Sequence, residues 1–204
     1  MITLPRLYAI LDASGFQNTD AICDFAEDLV AGGVTLLQYR NKSGNARQML
    51  EQAQELKRRT GKQAKVIMND RADLCLAAGL DGVHVGQEDL SPEGARKVIG
   101  PALWLGVSTH NPQQIGEADK TSADYVAIGP VFPTSSKEKP DPVVGLDGVR
   151  LARSLTRKPL VAIGGITRTN CRKVIEAGAD AVAVISDLLR EPQKSAEEFF
   201  RVLR

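Results

Sequence analysis

Eight short apolar runs, with a segment of helical character between each pair, recur roughly every 20 to 30 residues along the 204-residue chain. The runs cover residues 7–11, 35–38, 65–68, 82–85, 103–107, 125–128, 160–163 and 181–184. Each suits a strand buried on both faces. In the first intervening segment, Ile22, Phe25, Ala26, Leu29 and Val30 share one helical face, with Asp20 near its start and Gly32-Gly33 at its end. Alternation of this kind implies parallel strands joined by right-handed crossovers. Eight such units are the count of an α/β single (β/α)8 barrel, the TIM barrel, here near the short end for that fold. A doubly wound open sheet is the alternative. It fits fewer strands better, and no Gly-x-Gly-x-x-Gly follows the first run. No linker or composition break divides the chain, so one domain is expected over 1–204.

Composition narrows the function. With 43% hydrophobic and 25% charged residues the chain is ordinary for a globular domain. A formal net charge of +1 gives no general pull toward nucleic acid or a membrane surface, so any anion specificity must be local. Cys23, Cys75 and Cys171 lie far apart without metal-type spacing and read as buried thiols in a reducing compartment. No signal peptide or membrane-length apolar run is evident, and a cytoplasmic location is expected.

In a barrel the segments leaving the carboxyl ends of the strands build the active site. After run two, Gln38, Arg40 and Lys42 share one face by period two and suit a diphosphate, with solvated loop charge as the plain alternative. Asn69 and Asp70 follow run three, and Asp89 follows run four. Two carboxylates on successive strand ends suit Mg²⁺ holding a phosphate or diphosphate. Asp70 could instead cap a helix starting near Ala72, whereas Ser91-Pro92-Glu93 already looks like a helix start and frees Asp89. Ser108 is a candidate hydroxyl donor, His110 a cap or helper, and His84 a core histidine. The long segment from Gly129 to Pro142 offers Thr134, Ser136 and Lys137 to phosphate oxygens. Gly164, Gly165, Ile185 and Ser186 sit where such barrels commonly cradle a phosphate. No nucleophile stands beside a base, and no lysine lies within a run except Lys65 at the wrong end, which argues against an aldolase.

These residues together resemble the thiamin-phosphate synthase (thiamin-phosphate pyrophosphorylase) family over nearly the whole chain. The resemblance rests on Gln38-Tyr39-Arg40-Asn41-Lys42, Asn69-Asp70-Arg71, His84-Val85-Gly86-Gln87-Glu88-Asp89, Gly106-Val107-Ser108-Thr109-His110, Gly129-Pro130-Val131-Phe132-Pro133-Thr134, Ser136-Lys137 and Gly164-Gly165-Ile166. It implies a transferase that joins a hydroxymethylpyrimidine diphosphate to a thiazole phosphate and releases diphosphate. It further implies that Gln38, Tyr39, Arg40, Asn41, Lys42, Asn69, Ser108 and Lys137 bind the pyrimidine diphosphate. Thr134, Ser135, Ser136, Gly164, Ile185 and Ser186 would bind the thiazole phosphate. Asp70 and Asp89 would hold Mg²⁺, and Lys137, Ser108 and Arg40 would act in catalysis. Asn41 stands where the family often has Asp. Asp187 stands where it commonly has a small residue, and its carboxylate would repel a phosphate unless turned away.

Phosphorylated small molecules are the expected partners, and a homo-oligomer is left open. A related thiazole tautomerase is the nearest rival, with no need for a metal and diphosphate site. A non-catalytic barrel sensing thiamin intermediates is the rival of another class. The segment from Pro130 to Gly145 is expected to close over the diphosphate with Lys137 as its latch.

Overall fold

In the computed structural model, which describes residues 2–42, 44–134 and 141–204, the eight apolar runs become the eight strands of a closed barrel in chain order. They are β1 (Leu7–Asp12), β2 (Leu36–Arg40), β3 (Lys65–Asn69), β4 (Gly82–Val85), β5 (Trp104–Thr109), β6 (Tyr125–Ile128), β7 (Leu160–Ile163) and β8 (Ala181–Val184). All neighbours pair in parallel, and β8 closes on β1 through Leu7 opposite Val182 and Ala9 opposite Val184. Closure excludes the open-sheet alternative. Helices α1 (Thr19–Ala31), α2 (Ala46–Thr60), α3 (Ala72–Ala77), α4 (Pro92–Ile99), α5 (Pro112–Asp119), α6 (Gly145–Leu155), α7 (Cys171–Glu176) and α8 (Pro192–Leu203) alternate with the strands. Asn18, Asn45, Ser91 and Asn111 start four of them by accepting a backbone amide three residues on, the usual N-cap bond.

Period two divides the strand residues between two cores. Tyr8, Ile10, Leu36, Ile67, Tyr125, Ala127, Val161, Ala181 and Ala183 fill the barrel interior. The alternate residues, among them Leu7, Leu11, Leu37, Tyr39, Val66 and Met68, pack with helix residues such as Ile22, Leu29 and Leu56. The interior changes character along the barrel axis. Leu36, Ile67 and Trp104 occupy it near the amino ends, while Gln38 and Asn69 take the next inward positions toward the carboxyl ends and Ser108 the one beyond Gly106. Polar side chains therefore converge at one mouth without interrupting the apolar plug beneath.

The opposite mouth is tied by carboxylates. Asp81 accepts the Val66 amide at 2.7 Å and the Lys57 ammonium at 2.6 Å. Asp124 does the same for the Leu105 amide and Arg96, at 2.8 and 2.7 Å, and Asp180 for the Leu160 amide and Arg153, at 2.8 and 2.9 Å. Gly79 and Gly178 make the preceding turns at φ +66° and +112°, so the Gly-x-Asp turns join a helix end to a strand clamp. Cys23, Cys75 and Cys171 are buried free thiols. Among the described residues, no helix is long and apolar enough to cross a membrane.

Candidate active site

Register places the side chains of the polar mouth. On β2, Gln38 and Arg40 point inward, whereas Tyr39 and Asn41 point to the helix layer. Tyr39 is fully buried and donates to Gln52 of α2. Asn41 donates to both Tyr39 and Gln52 at 3.2 Å and accepts the Gly44 amide at 2.7 Å. The resemblance assigns Tyr39 and Asn41 to the pyrimidine diphosphate; the structure turns both side chains toward α2, away from those of Gln38 and Arg40. Both anchor the turn that carries Lys42.

Asp70 and Asp89 come together as expected. Asp89 lies near enough to act on the Asp70 carboxyl, and Lys42 forms an ion pair with Asp70. Burial pushes the Asp70 carboxyl above the usual carboxylate range; Lys42 pulls it down, and Asp89 pushes it up. Asp70 takes a left-handed backbone at φ +63°, rare for a residue with a side chain, and the His84 carbonyl accepts its amide at 2.8 Å. It is not a helix cap: α3 begins after Arg71 and has no side-chain cap. Ser91 does cap α4, and Asp89 is held separately by the Gly86 amide at 2.7 Å. Beside this pair Asn69 Nδ2 is buried with no hydrogen-bond partner among the described residues, a donor of the kind a ligand satisfies.

Arg40 forms an ion pair with Asp12 at the end of β1. Asp12 was missed in the sequence because the first apolar run was ended at Leu11; one more residue would have placed it with the other polar strand ends. Tyr8 and Tyr125 were missed as well, because inside an apolar run a tyrosine looks like core. Gln38 donates to the Tyr8 hydroxyl at 2.8 Å, and Tyr8 and Tyr125 hydroxyls meet at 3.1 Å. His84 Nδ1 lies 3.0 Å from the Tyr125 hydroxyl and its Nε2 lies 2.8 Å from Ser108 Oγ. Burial drives the His84 pKa down to about 4, so the ring is neutral at pH 7, and burial raises both phenols. His84 is thus the satisfied core histidine expected, and it also touches the candidate Ser108. His110 does not cap α5, which Asn111 caps; its Nδ1 is 2.7 Å from the Gly129 carbonyl.

The far side of the mouth is built from the segments after β6, β7 and β8. The Val131 and Phe132 amides bond the Ile163 and Gly164 carbonyls at 2.9 and 3.0 Å, extending the sheet into the loop. Gly164 and Gly165 have φ of +101° and +62°. A Cβ on Gly164 would lie 2.5 Å from the Pro130 Cβ, and one on Gly165 2.5 Å from the Pro133 carbonyl. Their lack of side chains lets the two loops meet. Thr134 is half-buried in the segment after β6, while Ser135, Ser136 and Lys137 lie outside the described residues. Ile185 and Ser186 follow β8, Ser186 opening a short 3-10 turn. Asp187 is turned away from them, accepting the Arg168 amide at 2.8 Å and its guanidinium at 3.1 Å. That geometry answers the concern over phosphate repulsion. A cavity of about 520 Å³ lies beside the mouth, lined by Ser14, Phe16, Asn18, Asn41, Gln48 and Gln52 among others. No charged side chain lines it.

The sequence profile of the family described as thiamine monophosphate synthase matches residues 7–188. A thiamine-phosphate synthase of Koribacter versatilis is 61% identical over 205 residues, covering 99% of this chain and 97% of the relative. One of Chloroflexus aurantiacus is 44% identical over 184 residues, covering 89% and 83%. The solved thiamine phosphate pyrophosphorylase of Pyrococcus furiosus superposes with a TM-score of 0.86 at 34% identity, covering 97% of this chain and 95% of that one. A 3-hexulose-6-phosphate synthase of Salmonella typhimurium shares the fold alone, at a TM-score of 0.74 and 17% identity.

Proposed function

The chain belongs to the thiamine monophosphate synthase family, and we propose on that premise how its barrel mouth performs the family's reaction. The protein is a transferase. It condenses 4-amino-2-methyl-5-(diphosphooxymethyl)pyrimidine with 4-methyl-5-(2-phosphooxyethyl)thiazole to thiamin phosphate and diphosphate; the carboxylated thiazole gives the same two products and in addition loses its carboxylate as CO2, a proton from water taking its place. The C–O bond to diphosphate breaks, its electron pair leaving with the diphosphate, and the thiazole nitrogen forms the new C–N bond to the methylene carbon. The electron-rich aminopyrimidine stabilises positive charge on that carbon, so bond breaking runs ahead of bond making. No proton is removed in the coupling, and the mouth correspondingly needs no general base.

The residues divide the work by charge. Arg40 and Lys42, with Lys137 from the segment outside the described residues, neutralise the diphosphate as it departs. Gln38, Asn69 and Ser108 hold the pyrimidine, the unpartnered Asn69 amide being suited to an acceptor on it or on the diphosphate. Thr134, Ser135, Ser136, the Gly164 backbone and the Ile185–Ser186 amides hold the thiazole phosphate. Asp70 and Asp89 fit Mg²⁺: they are two neighbouring hard-oxygen donors, one raised in pKa by burial, with Lys42 paired to Asp70. Mg²⁺ commonly uses one or two carboxylates and fills its remaining positions with water and substrate phosphates. When bound, it supplies electrostatic stabilisation of the leaving diphosphate. Phosphorylated small molecules are the partners, and the location is cytoplasmic.

The carboxylate pair at the cationic mouth carries this reading, because the related thiazole tautomerase needs no such pair. Asp70→Ala and Asp89→Ala are expected to abolish Mg²⁺-dependent turnover while the thermal unfolding transition remains cooperative. Near wild-type turnover of both variants with chelator present would remove the metal role.

A further inference from the structure

Five buried or half-buried polar side chains from β1, β2, β4, β5 and β6 form one unbranched hydrogen-bonded chain across the barrel, from Gln38 through Tyr8, Tyr125 and His84 to Ser108. Each inner member has little choice of role. A phenol has one proton to give, and a neutral imidazole carries one N–H and one lone pair. Gln38 donates to Tyr8 at one end. Tyr125 is the acceptor left in reach of the Tyr8 proton, so in the arrangement that leaves no inner proton unused Tyr8 donates to Tyr125, and Tyr125 to His84 Nδ1. His84 therefore carries its proton on Nε2 and donates it to Ser108 Oγ. The hydroxyl proton of Ser108 is left to point off the chain. The barrel is shaped to house these groups: a Cβ on Gly106 would lie 2.1 Å from the Tyr125 ring and 2.4 Å from His84 Nδ1.

We propose that Tyr8, Tyr125 and His84 are positioning residues that fix opposite hydrogen-bond characters at the two ends of this chain, an acceptor carbonyl on Gln38 and a donor hydroxyl on Ser108. That pair matches the edge of a 4-aminopyrimidine, where an exocyclic N–H donor adjoins a ring-nitrogen acceptor. A 4-oxopyrimidine edge presents the reverse order. Alone, Gln38 could flip its amide and Ser108 rotate its hydroxyl, and either would serve both edges. Linked through three groups, they reverse only if every bond in the chain reverses together. The inference deepens the function above and rests on the assignment of Gln38 and Ser108 to the pyrimidine.

The test uses the intact enzyme and an unreactive phosphonate analogue of the pyrimidine diphosphate, made in 4-amino and 4-oxo forms. Competitive inhibition by each is measured for wild type, Tyr125→Phe, Gln38→Leu and Ser108→Ala. Tyr125→Phe keeps the ring and removes one link far from the ligand. It is expected to reduce the preference for the amino form at least tenfold, while KM for the thiazole phosphate changes less than twofold. A preference unchanged within twofold in Tyr125→Phe, with weaker inhibitor binding in Gln38→Leu and Ser108→Ala, would overturn the inference and leave the pyrimidine site standing. Unaltered binding in those last two variants would overturn the site assignment itself. Nitrogen-15 spectra of wild-type His84 give a reading independent of any variant's folding. A proton on Nε2 is expected, and one on Nδ1 would contradict the stated polarity.

Discussion

His84 is a buried titratable group whose charged form burial disfavours, and its titration gives a stability signature. Its pKa is about 4 when folded, against an ordinary value of 6.5. Above pH 6.5 neither state binds the proton, so nothing is lost. Between 6.5 and 4 only the unfolded chain binds it, and folding stability falls as pH falls; below 4 the loss is complete. The shift corresponds to about 3 kcal/mol. Denaturant titrations at pH 7 and 4.5 should therefore show a larger acid loss in wild type than in His84→Gln, and equal losses would reject the assignment. Gly106 is the structural complement of this histidine. Gly106→Ala is expected to destabilise by roughly 1–3 kcal/mol by overpacking, and it should also weaken pyrimidine binding, because the atoms its Cβ would meet belong to Tyr125 and His84. Loss of stability with unchanged pyrimidine KM would separate the two effects and contradict the second.

Among the elements, the loops after β6 and β7 behave as one unit, since Val131 and Phe132 bond the end of β7 and Gly164 packs on Pro130. This adds a second reason why Gly164 matters. In the sequence it suggests close approach of backbone to phosphate, whereas the fold shows close approach of one loop to another. Gly164→Ala is expected to destabilise by roughly 1–3 kcal/mol and to raise KM for the thiazole phosphate through displacement of Thr134. Thermal melts with separate KM values for the two substrates check this, and a change confined to the pyrimidine diphosphate would contradict it. The elements themselves were legible because each strand is a short apolar run followed by a polar residue and a helix start. β4, β6, β7 and β8 span the residues expected. The ends of β1, β2, β3 and β5 reach one or two residues further, to Asp12, Arg40, Asn69 and Thr109; Asp12, Arg40, Asn69 and Ser108 are inward positions where the interior opens to solvent and polar residues continue the strand. The contacts of Tyr39, Asn41, Tyr8 and Tyr125 were overlooked for a different reason: their partners lie on other elements, and spacing along one strand does not reveal them.

The molecule as a whole sets its carboxylates at two opposite faces, and on the proposed function one face serves stability and the other chemistry. Asp81, Asp124 and Asp180 tie strand starts to helix cations at one mouth, and Asp12, Asp70 and Asp89 stand among the polar groups of the other. Asp81→Ala leaves the Val66 amide without its acceptor and Lys57 without its partner, so it should cost about 1–3 kcal/mol of stability while kcat per folded molecule stays within twofold of wild type. A fall in kcat without a fall in stability would contradict this division. The central claim is tested most directly by incubating the purified protein with the pyrimidine diphosphate and the thiazole phosphate, with and without Mg²⁺, and quantifying thiamin phosphate and diphosphate together. The account predicts the two products in equal amounts, formed only when both substrates and Mg²⁺ are present. Diphosphate release without thiamin phosphate, or coupling that proceeds equally well in chelator, would contradict it.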